Sequence, residues 1–142
     1  MSITFRYMES PNPDGTFYKR PCIPITFSNG AEKIEQIALI DSGADVCAMD
    51  YRRALKLGLD LSGQRIKSYG VTGSIDSVIT NVQIDVSRGH EHYSFQIPIR
   101  ILFSDSNRII HTLIGRKGFF NKFRITIDEA NQRITLKRNN HE

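Results

Sequence analysis

A chain of 142 residues with 39% hydrophobic content fills one packed domain and is short for two, so residues 1–142 are expected to form a single domain with its core over about 20–137. No stretch approaches the roughly 18 apolar residues of a membrane span, and the opening MSITFRYMESPNPDG lacks the basic-then-apolar layout of a secretory leader, which points to a soluble, cytoplasmic protein with no membrane partner. The net charge of +4 is spread over scattered Lys and Arg with no interleaved aromatic pattern, which argues against a nucleic-acid partner, and two cysteines, Cys22 and Cys47, are too few and too isolated for a disulfide framework or a zinc site.

Taken in chain order, SPNPDG at 10–15 is a surface turn or loop. Ile23, Ile25 and Phe27 then alternate with polar neighbours at the period of a half-buried strand. IALI at 37–40 is apolar on both faces, as a central strand is. After Asp50, a helix N-cap residue type, Tyr51, Ala54 and Leu55 fall at helical spacing and Gly58 stands where a short helix would end. Val78, Thr80, Val82, Ile84 and Val86 alternate again, RGHEHY supplies a hairpin connection, and FQIPIRILF returns with Phe95, Ile97, Ile99, Ile101 and Phe103 on one face and Gln96 and Arg100 on the other. Pro98 lacks a ladder donor, which predicts an edge position or a bulge there. Phe123, Ile125 and Ile127, the turn residues DEANQ, and Ile134 with Leu136 make a second hairpin, with Arg138 in a polar tail. The sum is a mainly β fold with one or two short helices.

The apolar run at 37–40 drives straight into Asp41, Ser42 and Gly43. An isolated Asp-Ser-Gly is most often a plain turn. Here, though, the carboxylate closes a strand that reads as central, where desolvation is expensive. Gly43 lets the backbone fold back and offer an amide N–H to that carboxylate, and Ser42 adds a hydroxyl for positioning it.

In this context ALIDSGAD resembles the active-site segment of the retropepsin-like aspartic proteases, an apolar run followed by D[ST]GA. HTLIGRKGFF at 111–120 is similar to the family's later segment, two apolar residues, a glycine and an arginine, and SYGVTGS at 68–74 falls where the family places its flap, a glycine-bearing hairpin tip over the substrate. The resemblance that these three motifs carry in this order covers roughly residues 20–137, and Ser42 stands where threonine is frequent. The resemblance implies a closed retropepsin-like acid-protease β fold with one lobe per chain. It implies a catalytic group of Asp41, Ser42 and Gly43. Ala44, Asp45, Tyr69, Gly70, Val71, Thr72 and Gly73 would contact substrate, with Leu113, Ile114, Gly115 and Arg116 as structural support. It implies no cofactor and no metal. Asp45 and Arg116 resemble a pair that in the family supports the active-site loop and the dimer interface, and a bidentate bond would suit a partly buried site.

One D[ST]G per chain is half of what this chemistry uses, because two carboxylates about 3 Å apart must share a proton. The expected unit is therefore a homodimer acting on a peptide or protein substrate, an aspartic-type endopeptidase. The rival is a catalytically inactive, dimerising peptide-binding module of the same fold. Among other residues, His90 and His92 share a strand face without an evident third metal ligand, and Cys47 has no His or Asn pattern to make it a nucleophile, so it reads as core. Tyr69 either covers substrate or packs the hairpin. Phe119, Phe120 and Phe123 read as core.

Overall fold

The computed structural model describes residues 2–12, 14–70, 73–105, 107 and 110–139. Its strands are β1 (Ser2–Arg6), β2 (Met8–Pro11), β3 (Phe17–Arg20), β4 (Cys22–Asn29), β5 (Glu32–Ile40), β6 (Cys47–Asp50), β7 (Ile66–Gly70), β8 (Gly73–Arg88), β9 (Glu91–Leu102), β10 (Thr112–Ile114), β11 (Phe123–Asp128) and β12 (Arg133–Arg138). Helix α1 (Tyr51–Lys56) follows β6, and one irregular helical turn, Arg116–Phe120, joins β10 to β11. Among the described residues no helix is long and apolar enough to cross a membrane.

The main sheet has the order β4-β5-β10-β6-β9-β8-β7, and β8 also pairs with β4, so the ladder returns on itself. The alternation explains why. Ile23, Ile25 and Phe27 of β4, Val82, Ile84 and Val86 of β8, and Ile97, Ile99 and Ile101 of β9 all turn inward and are almost completely buried. Each such side chain withdrawn from water stabilises the fold by about 1.5–3 kcal/mol, and closing the sheet lets the inward faces share one interior.

A three-stranded sheet, β1-β12-β11, packs its inner residues Ile3, Phe5, Phe123, Ile134 and Leu136 into the same core. Residues before position 20 thus contribute to the packed interior. Ser2–Arg6 pairs along its whole length with β12, from Ser2↔Lys137 to Arg6↔Arg133, and Met8–Pro11 forms a hairpin with β3 around the turn that the SPNPDG loop supplies. Arg138 is likewise not in a tail: it lies in β12 with its guanidinium over the Tyr93 ring.

Pro98 is not on an edge strand, since β9 runs between β8 and β6. The rungs to β6 begin one residue later, at Cys47↔Ile99, so the proline falls where that flank of the strand is unpaired. The Arg116–Phe120 turn occupies the space: a Cβ on Gly118, whose φ is +86°, would sit 2.9 Å from the Pro98 ring. Beside it Phe119, fully buried, touches the rings of Phe95, Phe120 and Phe123.

Helix α1 forms where the cap and spacing placed it. Asp50 accepts from the Arg52 backbone N–H at 2.9 Å and from the Arg52 side chain through both oxygens at 2.8 Å. The buried face, however, is Ala54 and Leu57, and Leu55 is 59% exposed.

Phe119→Ala is expected to cost about 3–5 kcal/mol, the range for emptying an aromatic core site, read as a fall in the denaturant midpoint. The Arg52 hydrogen bonds hold the Asp50 carboxyl below its ordinary pKa. A depressed carboxylate contributes stability that is present above the unfolded-state pKa and is lost as pH falls through the folded value. Asp50→Asn should therefore flatten the acid side of the stability-against-pH curve; an unchanged curve would remove Asp50 from that account.

Candidate active site

Asp41 stands at the end of β5, where the strand leaves the sheet. β10 is inserted between β5 and β6, parallel to the first with Leu113↔Leu39 and antiparallel to the second with Leu113↔Ala48. The ladder continues for one bond beyond β5, because the Asp41 N–H donates to the Ile114 carbonyl at 2.9 Å. The chain then turns tightly: the Gly43 N–H donates to Asp41 Oδ1 at 2.9 Å and the Ala44 N–H to the Asp41 carbonyl at 3.2 Å. The amide expected to orient the carboxylate is thus the one that does so.

The far side of the loop is tied to the same segment. The Arg116 N–H donates to the Ala44 carbonyl at 2.9 Å and the Lys117 N–H to the Asp45 carbonyl at 2.8 Å. Gly115 passes so close beneath the loop that a Cβ there would lie 2.5 Å from the Val46 carbonyl carbon and oxygen and 2.8 Å from the Ala44 oxygen. Its N–H meets the Cys47 sulfur at 3.3 Å. Cys47 is fully buried, and burial pushes its thiol up to about 11, which keeps it protonated and makes it a core residue, as expected. Ile114 is fully buried and Leu113 faces the cleft.

Asp41 is half-buried in the single chain, and Ser42 and Gly43 are exposed. The desolvation expected of a carboxylate at the end of a central strand is therefore incomplete in one copy. Asp45 and Arg116 do meet, through Arg116 Nη2 and Asp45 Oδ1 at 2.5 Å. That pair was expected to be bidentate and partly buried. One contact joins it, and the two side chains are 69% and 59% exposed, so within one chain it contributes little.

Above the loop, β7 and the start of β8 form a hairpin in which Gly70 faces Gly73. Val71 and Thr72, expected at its tip, lie outside the described residues. Lys67 and Asp76 brace the hairpin with an ion pair at 2.6 Å. Tyr69 is 81% exposed, so it does not pack the hairpin; it lines the cleft. That cleft, about 600 Å³, runs between hairpin and loop and gathers Asp41, Gly43, Ala44, Asp45, Tyr69, Gly70 and Leu113 from the expected set. Gly73, Ile114, Gly115 and Arg116 do not line it, and the last three hold the loop from behind.

No protein-family model and no curated protein sequence matches the chain. Among solved structures it is similar to a retropepsin-like aspartic protease from Rickettsia conorii, 20% identical, with 96% of this chain and 90% of that one covered and a TM-score of 0.53. The fold is retropepsin-like. A weaker likeness is to EIAV protease in complex with an inhibitor, 20% identical over 69% of this chain and 83% of that one, with a TM-score of 0.45.

Within this retropepsin-like fold the cleft also contains residues that the motifs did not single out: Val46, Ala48, Lys67, Ser68, Arg100 and Leu102. Arg100 was visible only as an outward residue of FQIPIRILF. What makes it a lining residue is the parallel pairing Ala48↔Arg100, which no local pattern reveals. His92 faces Asp85 at 3.3 Å rather than joining His90 in a shared site.

Gly115→Ala is expected to lower stability by about 1–3 kcal/mol, the cost of forcing a methyl into a filled space, and to loosen the 41–46 loop. Thermal unfolding, with amide exchange of Gly43 and Ala44, measures both; a wild-type melting temperature would show that the loop is not wedged by backbone contact.

Proposed function

We propose that this chain, as one domain of 142 residues, is an aspartic endopeptidase that works as a homodimer, hydrolysing peptide bonds with a water activated between Asp41 and its copy. The observation that carries the reading is a single Asp-Ser-Gly loop, held from behind by β10, at the floor of a cleft beneath a glycine-tipped hairpin. The half-exposure of Asp41 and the exposure of Ser42 and Gly43 suit a site that a second lobe completes.

In the dimer a two-fold axis sets the two Asp41 carboxylates facing each other. One takes a proton from the water as it attacks the scissile carbonyl carbon, while the other, protonated, hydrogen-bonds the carbonyl oxygen and stabilises the charge that develops there. The proton then passes to the leaving amine. Gly43 holds the Asp41 carboxylate in plane through its N–H. Ser42, whose hydroxyl has no partner inside the chain among the described residues, is free to bond across the two-fold axis. Ala44, Asp45, Tyr69, Gly70 and Gly73, with Val71 and Thr72, would border the peptide, and Leu113, Ile114, Gly115 and Arg116 would hold the loops. The Asp45–Arg116 pair, weak while exposed, would strengthen when the second lobe covers it.

Asp41→Asn keeps the side-chain shape and removes the group that must exchange a proton. Hydrolysis of a diverse peptide library should fall by roughly a thousandfold or more while folding survives. Retained hydrolysis refutes the aspartic mechanism, and a wild-type dimer that binds peptides without cutting them favours the binding module.

Sedimentation checks the assembly, since cleavage by a strictly monomeric protein would sink the two-lobed site. Arg116→Ala should weaken dimerisation or activity more than Lys33→Ala, an exposed cation of β5 with no part in the loops. Arg138 is unsuitable as that control because it stacks on Tyr93. Equal, negligible effects would take Arg116 out of the site.

A further inference from the structure

The cleft wall carries two basic side chains, and their electrostatic states differ. Lys67 is neutralised by Asp76 at 2.6 Å. Arg100 is half-buried against the same cleft, and among the described residues no carboxylate pairs with it. Its one side-chain hydrogen bond among the described residues, from Nη1 to Ser77 Oγ, is long at 3.4 Å, and that hydroxyl already donates to the Ile66 carbonyl at 3.1 Å.

Register fixes where this cation stands relative to Asp41. Leu39 faces Leu113, Leu113 faces Ala48 and Ala48 faces Arg100, a row across four neighbouring strands. Asp41, two residues beyond Leu39, lines the same cleft as Arg100. Three strand spacings across and two residues along make about 16 Å between the Asp41 and Arg100 backbones, and the long arginine side chain shortens that reach. An extended peptide presents side chains to one face about every 7 Å, so one whose scissile bond lies at Asp41 brings a side chain over Arg100 within about three residues of that bond.

We propose that Arg100 is a specificity-determining residue, selecting peptides with an aspartate or glutamate at the position that lies over it. This rests on the cleft being the peptide site. When the hairpin covers a peptide, water leaves and an unpaired guanidinium becomes costly. A carboxylate meets it with two parallel N–H···O bonds and cancels the charge, whereas an amide of the same shape does neither. A lysine at that position of the peptide meets like charge.

The test is binding of a position-scanned decapeptide library to the Asp41→Asn protein, which reads recognition without hydrolysis, followed by the wild-type cleavage profile. At one position Asp and Glu should be enriched over Asn and Gln by roughly ten- to a hundredfold. In the Asp41→Asn background, Arg100→Leu should abolish that preference, Arg100→Glu should turn it toward Lys and Arg, and Arg100→Lys should keep a weaker form of it. Circular dichroism checks the fold of each variant. No acid enrichment, an enrichment that survives Arg100→Leu, or no peptide bound at all overturns the assignment. Acid-selective binding without hydrolysis in the wild type supports Arg100 and sinks the protease reading; hydrolysis without acid selectivity does the reverse.

Discussion

Everything at the site depends on one backbone arrangement: a three-residue strand, β10, threaded between β5 and β6, whose continuation through Gly115 to Lys117 clamps the 41–46 loop. The N–H of Asp41 is spent on Ile114, and the carbonyls of Ala44 and Asp45 are taken by Arg116 and Lys117. Two ends of one loop are thereby tied to one straight segment. A loop free at either end would sample many conformations and lose the geometry that a positioned carboxylate needs. The glycine is the condition for this closeness, because any side chain at 115 would occupy the volume of the Val46 peptide group.

The same clamp distributes burial unevenly, and the unevenness has chemical consequences. On the inner side, Cys47 and Ile114 are sealed in the core and the thiol is held neutral. On the outer side, Asp41 is left half-buried and Asp45 with Arg116 mostly exposed. A carboxylate in that position is not destabilising as long as water reaches it. In the proposed enzyme a second copy of the same loop takes the place of that water.

Much of this was legible because period-two alternation is dense in this chain. The strands around Ile23, Val82, Ile99, Ile125 and Ile134 were visible one by one, as was the capped helix after Asp50. What was not legible was non-local. Ser2–Arg6 alternates over only five residues, and its strand exists because β12, at the other end of the chain, offers a partner. Leu55 looked like a helix-face residue because the helix has under two turns, too few to tell one apolar stripe from the next, and packing against the core chose Ala54 and Leu57 instead. Pro98 was read for the right physical reason, the missing donor, but a strand can be internal along most of its length and unpaired at one residue. The site residues divide in the same way. Asp41, Gly43 and Gly115 announce themselves by chemistry and spacing, whereas Arg100 belongs to the cleft only through a pairing of strands that sequence does not display.

That division bears on how selectivity is built on such a lobe. Groups that hold the loop act through backbone amides and a glycine, so their demands tolerate few substitutions and say nothing about the peptide. Groups on the sheet face, Ala48, Arg100 and Leu102, hang on strands whose hydrogen bonding is indifferent to side chain, so they can change without disturbing Asp41. A small residue, Ala48, beside Arg100 leaves room for a carboxylate to reach the guanidinium. With Lys67 and Asp76 cancelling each other in the hairpin, the unmatched positive charge among the described wall residues of the cleft is that of Arg100. A peptide that neutralises this charge removes one electrostatic cost of closing the hairpin, which ties recognition at Arg100 to the exclusion of water at Asp41.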